Sequence, residues 1–183
     1  MRPQRMLGAG FCLAALALLV GCDREEQAAA PPPQELTREA SGHYCSMIIA
    51  DHPGPKGQIH VTGRDKPYWF SSVRDTIAFT LLPEEPKRVR TIYVNDMGRA
   101  TNWESPEPGT WIDARQAWYV IGSSRRGGMG ALETVPFGEK SAAERFATQY
   151  GGRVVAFGDI PYDYVLGDAG ETAEHEGHQG TAP

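Results

Sequence analysis

The apolar residues in the middle of the chain form short strand-like runs that alternate with single helical patterns. In the first half, strand-like runs at 58–62 and 68–70 precede a helical pattern at 73–82, which Pro83 ends. A further strand-like run at 88–94 follows the helix. The predicted order of elements is strand, strand, helix, strand.

The second half repeats this order. Strand-like runs at 117–122 and 132–137 precede a helical pattern at 142–150, in which apolar side chains recur on one side. The glycine pair at 151–152 ends the helix, and an apolar run at 153–157 closes the unit. Sequence identity between the halves is low, so the evidence for an internal duplication is the shared order of elements.

We therefore predict an α+β fold of two small related ββα(β) units, at 43–97 and 113–164, joined by a linker at 98–112. The flanking sequences are polar and lack an apolar period. We predict a flexible tether at 22–42, which is rich in proline and alanine, and a disordered acidic tail at 165–183.

The first 21 residues have the pattern of a secretory signal peptide. A positive start is followed by an apolar run at 6–20, which is too short to span a bilayer comfortably. The Leu-Val-Gly before Cys22 resembles a bacterial lipobox, which implies cleavage before Cys22 and lipidation of its sulfur. The mature chain would then be anchored at the periplasmic face of a membrane, and Asp23 favours the inner membrane by the sorting rule of enteric bacteria. The alternative is a soluble secreted protein in which Cys22 has no role.

Charge and motifs exclude several classes of function. The formal charge of the 183 residues is −5, and removal of the signal with Arg2 and Arg5 leaves 162 residues with a charge of −7. A chain this acidic is a poor ligand for nucleic acid. It also has no phosphate-binding loop, no nucleophile elbow and, in its folded part, no zinc-type spacing of Cys and His.

Cysteine usage indicates one functional thiol. Of the 3 cysteines, Cys12 leaves with the signal and Cys22 would carry lipid, so Cys45 alone remains. The mature monomer then has no internal disulfide, although thiols outside the cytoplasm usually form them. A single thiol in that compartment indicates a use for Cys45, and a buried, inert cysteine is the alternative.

Cys45 and Met47 form a pair of soft sulfur ligands. We predict a strand at 44–49, on which residues i and i+2 point to the same face, so that the thiolate and the thioether lie side by side. Soft sulfur ligands select Cu(I) or another thiophilic ion over hard cations. Because the thiol must lose its proton, metal binding would depend on pH.

Further donors are expected outside this pair. Met129 is the candidate third ligand because it lies in a Gly-Gly-Met-Gly loop, without the apolar neighbours of a core methionine. His52, shortly after the pair, is the candidate nitrogen ligand. Met97, in Asn-Asp-Met-Gly, is a weaker candidate for the same role. His43 and His60 are also nitrogen donors, and for every histidine a solvated surface position is the alternative.

Four short motifs resemble those of the NosL family of nitrous oxide reductase accessory lipoproteins. They occur in the family's order: Leu-Val-Gly-Cys22, Cys45-Ser46-Met47 followed by Ile-Ile-Ala-Asp-His-Pro-Gly, Gly128-Met129-Gly130 with Val-Pro-Phe after it, and Gly151-Gly152. The resemblance covers 43–160 and implies a fold of two related ββα-type units, also seen in organomercurial lyase. Ser46 departs from the family's usual first motif, which has Gly between Cys and Met.

The resemblance also implies a function. The family binds Cu(I) and delivers copper to the maturation machinery of nitrous oxide reductase, through a membrane ABC-type complex. By position, Cys45 and Met47 match its metal-binding pair and Met129 matches the methionine of its second half. We therefore expect a membrane-anchored copper chaperone without catalytic activity. The alternatives are a thiol-dependent enzyme that uses Cys45, either an oxidoreductase or an organometal lyase, and a structural lipoprotein whose Cys45 is buried.

Overall fold

A computed structural model describes residues 29–167 of the chain. The predicted signal at 1–21, the lipidation of Cys22 and the part of the predicted tail beyond Gly167 lie outside the described residues. No helix within 29–167 is long and apolar enough to cross a membrane. In chain order, the elements are β1 (Gly57–Val61), β2 (Tyr68–Phe70), α1 (Val73–Leu81), β3 (Val89–Asn95), β4 (Trp111–Asp113), β5 (Trp118–Ile121), β6 (Val135–Phe137), α2 (Lys140–Tyr150), β7 (Arg153–Ala156) and α3 (Tyr162–Leu166).

The strands form two antiparallel sheets with a shared arrangement. The first sheet has the order β2-β1-β3-β4 and the second the order β6-β5-β7. In both units the first strand is therefore central, between the second strand and the strand that follows the helix. This equal topology confirms the predicted α+β fold of two related units. The strand β4 is an addition, because Trp111–Asp113 begins inside the predicted linker and pairs with β3.

Helix α1 is capped from both halves of the chain. The Ser72 hydroxyl accepts a hydrogen bond from the Asp75 amide at 3.0 Å, as expected of an N-cap serine. Glu133, from the second half, accepts hydrogen bonds on Oε1 from the Val73 and Arg74 amides, both at 3.1 Å. The otherwise unpaired amides of the first turn are thus satisfied partly by the other unit.

The two units share a hydrophobic core. Its larger cluster joins apolar residues of β1, β3 and α1 to Tyr119, Ile121 and Val155 of the second unit. Val165 of α3 also lies in this cluster and is 4% exposed. The predicted start of a disordered tail at 165 is therefore wrong for the described residues 165–167, because burial of Val165 holds α3 on the domain.

The predicted strand at 44–49 is wrong. Residues 42–47 instead form a tight turn, which an isolated antiparallel bridge between Ser41 and Ile48 closes. Ser46 in this turn has a φ of 57°, in the left-handed region that a strand does not contain. Cys45 and Met47 are consequently neighbours within a turn rather than on one face of a strand.

The predicted flexible tether at 22–42 is wrong for its second part. Residues 29–40, which we call the strap, lie on the face of the first sheet that points away from the core. The Gln34 amide donates to Gln58 Oε1 at 2.9 Å, and Gln58 Nε2 donates to the Gln34 carbonyl at 2.8 Å. Gln58 is fully buried beneath the strap. Reciprocal hydrogen bonds of this kind satisfy polar groups that burial would otherwise leave unpaired.

The strap has further contacts at the strands β3 and β4. The Tyr93 hydroxyl donates to the Pro31 carbonyl at 2.9 Å. The Glu35 carboxylate accepts from the Gly109 amide at 2.9 Å and from Trp111 Nε1 at 3.2 Å. A proline- and alanine-rich composition indicates a chain without a core of its own, but it does not exclude docking onto an existing sheet.

Candidate metal site

The Cys45 turn, residues 42–47, is closed by its own backbone. The Gly42 amide donates to the Met47 carbonyl at 2.8 Å, and the Ser46 amide donates to the Gly42 carbonyl at 2.9 Å. A third hydrogen bond, from the His43 amide to the Trp69 carbonyl at 2.8 Å, fixes the turn beside β2. The turn therefore holds Cys45 and Met47 at the open edge of the first sheet.

The residue between the two sulfur ligands sets the path of the turn. Ser46 is the non-glycine residue with positive φ among the described residues. Left-handed backbone costs a residue with a Cβ roughly 1–2 kcal/mol, a cost that glycine does not incur. Glycine would adopt this geometry without that cost, and serine in this chain adopts it at some cost.

The two sulfur atoms differ in their exposure. Cys45 is half-buried, and its Sγ lies so close to Gly42 that a Cβ at Gly42 would come within 2.4 Å of it. Met47 is 40% exposed. The thiol thus rests on backbone in a defined place, whereas the thioether is accessible from solvent.

Beneath the turn lies a cluster of rings that includes His43. His43 Nε2 lies 3.0 Å from Glu85 Oε1, and the ring packs against Tyr68 and Phe79, with centroids 4.5 Å and 5.4 Å away. The pKa of Tyr44, next in the chain, is raised by burial first and then by the hydrogen bond and charge of Glu85. His43 is therefore engaged in ring packing and in a hydrogen bond with Glu85.

Met129 projects from a loop of the second unit. The methionine loop, Gly127–Gly130, is closed by a hydrogen bond from the Gly130 amide to the Gly127 carbonyl at 2.9 Å. Met129 is 51% exposed. A Cβ at Gly128 would come within 2.8 Å of both His52 Cβ and the Ser71 carbonyl. Glycine at this position lets the second unit's loop lie directly on the first unit, beside His52.

His52 connects the methionine loop to the segment that follows the Cys45 turn. Its Nδ1 lies 3.1 Å from the Gly128 carbonyl, which can only accept, so Nδ1 donates this hydrogen bond. The second nitrogen, Nε2, is buried and has no hydrogen-bond partner among the described residues. An imidazole held through one nitrogen, with the lone pair of the other unused, is the arrangement typical of a metal-ligating histidine.

Two buried ionisable residues near this site, Glu133 and Lys56, were not predicted. Glu133 is 1% exposed, and burial raises its pKa to about 8. A Cβ at Gly127 would come within 2.5 Å of its Oε2. Lys56 is 3% exposed, its Nζ donates to the Pro53 carbonyl at 3.1 Å, and burial lowers its pKa to about 8. A signal for Glu133 was present, since it is the one carboxylate in the strand-like run 132–137.

The structure places the four candidate ligands in two separate pairs. Cys45 and Met47 share one turn, while His52 and Met129 are joined through Gly128. No hydrogen bond in the described part of the chain links one pair to the other. Between residues 29 and 167 no three side chains of His, Cys, Asp or Glu form a metal-binding group. A site for a soft ion would therefore depend on the thioethers.

The remaining candidates have structural roles. Met97 is half-buried and packs against the smaller core cluster, beneath α2. His60 is 2% exposed, with Nε2 3.0 Å from Gln58 Oε1, and burial lowers its pKa. Neither side chain is placed as an accessible ligand.

Comparison with known sequences and structures places this geometry in a family. A sequence profile of the NosL family matches residues 33–165. The chain belongs to the NosL family. The NosL match contains the Cys45 turn, His52, the methionine loop and most of the strap, and it ends within α3.

Two relatives are named copper-binding lipoprotein NosL. The one from Achromobacter cycloclastes is 49% identical over 154 residues, which are 84% of this chain and 79% of that protein. The one from Stutzerimonas stutzeri is 37% identical over 187 residues and covers 100% of this chain and 95% of that protein. Among solved structures, the crystal structure of the copper chaperone NosL from Shewanella denitrificans superimposes with a TM-score of 0.67 at 38% identity. It covers 72% of this chain and 98% of that one.

Proposed function

We propose that this protein is a membrane-anchored Cu(I) chaperone, which supplies copper for assembly of the copper centres of nitrous oxide reductase through a membrane ABC-type complex. Relatives with 49% and 37% identity carry the name copper-binding lipoprotein, which supports both the copper and the anchor. Cys22 would carry the lipid, at the periplasmic face of the membrane. The enzyme, the ABC-type complex and the oxidation state of the copper are parts of the proposal.

The observation that carries the proposal is the Cys45 turn. It presents a thiol and a thioether from one short backbone loop, and Met47 is accessible at its surface. Soft donors of this type bind Cu(I) in preference to hard cations. Few fixed ligands at an accessible position also suit a carrier, because an incoming donor can replace them one at a time.

Met129 and His52 are the proposed further ligands. Met129 is exposed on a loop of glycines, and His52 keeps one nitrogen unpaired beside that loop. Ligands from two segments allow the metal to be held when both engage and released when the methionine loop moves away. Cargo would thus leave by ligand exchange, without a change in oxidation state.

Cu(I) affinity reports directly on the proposed ligands. In an anaerobic Cu(I) titration against a competing chelator, the mature chain is expected to bind one ion tightly. Cys45→Ala should abolish this binding, because the thiolate supplies the charge as well as a soft donor. Met47→Leu should weaken it with the fold unchanged, since leucine keeps the volume and removes the sulfur. Met129→Leu should mainly raise the rate of release to the chelator.

Met97→Leu is the matched control, because Met97 packs in the core and is not a proposed ligand. Wild-type affinity in Cys45→Ala would refute the site. Unchanged affinity and release in Met129→Leu would remove Met129 from the ligand set. If the wild type failed to take copper from the chelator, the alternative function to test would be a thiol-dependent enzyme that uses Cys45.

Delivery requires a separate measurement. In a host that lacks this chain, the wild type should restore the copper content of nitrous oxide reductase, whereas Cys45→Ala should not. Restoration by Cys45→Ala would place the function elsewhere in the chain.

A further inference from the structure

One end of the first sheet carries a group of basic residues that copper binding does not use. Arg64 and Lys66 lie in the turn between β1 and β2. Lys87 and Arg88 directly precede β3, and Arg90 is its second residue. All five side chains are exposed. We call these five residues the basic end.

Strand pairing gathers these residues from separate segments. β1 and β3 are antiparallel, with Val61 opposite Val89, so β1 ends where β3 begins. The Thr62 amide donates to the Arg88 carbonyl at 2.9 Å, which ties the β1–β2 turn directly to the start of β3. The basic end is therefore a single patch rather than two scattered groups.

Charge at this patch is opposite in sign to that of the whole chain. Asp65 lies within the patch and Glu84 and Glu85 precede it, but Glu85 is engaged with His43 at 3.0 Å. Within residues 29–167, Arg64, Lys66, Lys87 and Arg88 form no ion pair with a carboxylate. The chain as a whole has a formal charge of −5, so a negative surface would attract this end and repel much of the remainder.

The strap brings the N-terminal segment to the same patch. An Arg90 guanidinium nitrogen donates to the Ala29 carbonyl at 2.7 Å. Ala29 is seven residues after Cys22, and seven residues span at most about 25 Å when fully extended. A lipid on Cys22 therefore restricts the basic end to the neighbourhood of the membrane surface.

We infer that the basic end docks on anionic phospholipid headgroups of the membrane that holds the anchor. Lys and Arg side chains close to an anionic leaflet are attracted to it, and a lipid chain together with a basic patch gives firmer attachment than either alone. The inference rests on the proposed lipid anchor for the position of the patch, and it does not depend on copper.

Docking in this way would orient the methionine loop. Gly128 lies against the Ser71 and Pro53 carbonyls, which follow β2 and precede β1. That is the opposite end of the sheet from the basic end, separated along β1 by about 13 Å. The methionine loop would then face away from the lipid, toward soluble or projecting partners.

The patch is tested without the anchor in the mature chain carrying Cys22→Ser, by sedimentation with vesicles. Binding is expected to vesicles of phosphatidylglycerol and phosphatidylethanolamine in equal parts, to weaken as salt rises, and to be absent with phosphatidylcholine alone. Lys66→Glu with Arg88→Glu should lower binding by at least an order of magnitude. Arg115→Glu with Arg145→Glu, an equal charge change at exposed sites elsewhere, is the matched control. An equal loss in both pairs, or equal binding to both vesicles, would overturn the inference.

The complete lipidated protein supplies the second readout, by acetylation of its lysines on the same vesicles. Lys66 and Lys87 should react several-fold more slowly on the anionic vesicles than on phosphatidylcholine, while Lys140 on α2 should react alike on both. Equal protection of all three, or of none, would contradict docking through the basic end. Copper titration of the same sample reports separately on the proposed cargo, so loss of one result does not imply loss of the other.

Discussion

At the scale of single residues, the Cys45 turn depends on Gly42, which has no side chain, as well as on the ligands. Gly42 leaves the space that Cys45 Sγ fills, and a Cβ there would also lie 3.0 Å from Ile49 Cδ1. Ile49 cannot move away easily because it is fully buried, so the Cys45 thiol would have to give way. The position of the thiol is therefore set by a residue that is not itself a ligand.

Gly42→Ala should weaken Cu(I) binding while it leaves every proposed ligand in place. The added methyl group must displace the thiol from its position beside Met47, and we expect on the order of a tenfold or greater loss of affinity. Competition with a Cu(I) chelator measures this loss, and circular dichroism checks that the fold is kept. Gly158→Ala is the control, because a Cβ at Gly158 meets no atom within 4 Å. Equal affinity for the two variants would show that Gly42 does not place the thiol.

The kinds of ligand were predictable from residue types, but their geometry was not. Cys45, Met47 and Met129 stand out because few residues of this chain contain sulfur. Sulfur is a soft metal ligand whatever structure surrounds it. The turn was missed because serine, unlike glycine, does not predict a positive φ at position 46. The unpaired nitrogen of His52 is invisible in sequence, since it results from a contact with Gly128, 76 residues away.

At the scale of elements, the N-terminus of α1 is where the two units are joined. Ser72 was predictable as a cap because the capping hydroxyl is local in sequence. Glu133 was not, because it comes 60 residues after the Val73 amide that it accepts from. Strand β4 was missed for a similar reason, since three residues after a proline-rich loop give no period to detect. Local signals thus specify where an element begins, and only the tertiary fold specifies what completes it.

Glu133 should make stability depend on pH. Burial raises its pKa from 4.5 to about 8, so the folded state keeps a proton that the unfolded state has lost between these values. The free energy of unfolding should therefore fall as pH rises through this window, by up to about 1.4 kcal/mol per pH unit from this group. Glu133→Gln removes the titration and still offers an acceptor to the α1 amides.

Urea denaturation of Glu133→Gln and of the wild type at several pH values measures the effect. The stability of the variant relative to the wild type should rise from pH 4.5 to about 8 and then level off. Glu139→Gln, at an exposed position before α2, is the control and should give a flat difference. A flat difference for Glu133→Gln as well would mean that the buried carboxyl is charged in the folded protein at neutral pH.

At the scale of the whole molecule, the strap determines how far the domain extends toward its N-terminus. The sequence placed the first folded residue near 43, because residues 29–40 have no apolar period. The strap stays in place through polar contacts that cross long stretches of chain, and composition cannot reveal such contacts. The repeated order of elements was predictable because each ββαβ unit has its own local pattern.

The Glu35→Ala variant tests how firmly the strap is held on the first sheet. Glu35→Ala removes the acceptor for the Gly109 amide and for Trp111 Nε1, and we expect a loss of about 1 kcal/mol, since the hydrogen bonds are charge-assisted but exposed. Trp111 fluorescence should shift to the red as its indole becomes hydrated. Glu39→Ala, in the same strap, is the control. If Glu35→Ala changed neither stability nor fluorescence, the strap would not be held at this point.

The strap also has a consequence for the order in which the protein assembles. Its partners Gln58, Tyr93 and Trp111 lie 24, 62 and 76 residues further along the chain than the groups that bind them. A chain is synthesised from its N-terminus, so the strap emerges well before the sheet that receives it. Contacts between distant segments also form late in folding. Closing a long loop costs conformational entropy before the contacts that offset this cost have formed. Strap closure would therefore be a final event, which occurs only once the first sheet has reached Trp111.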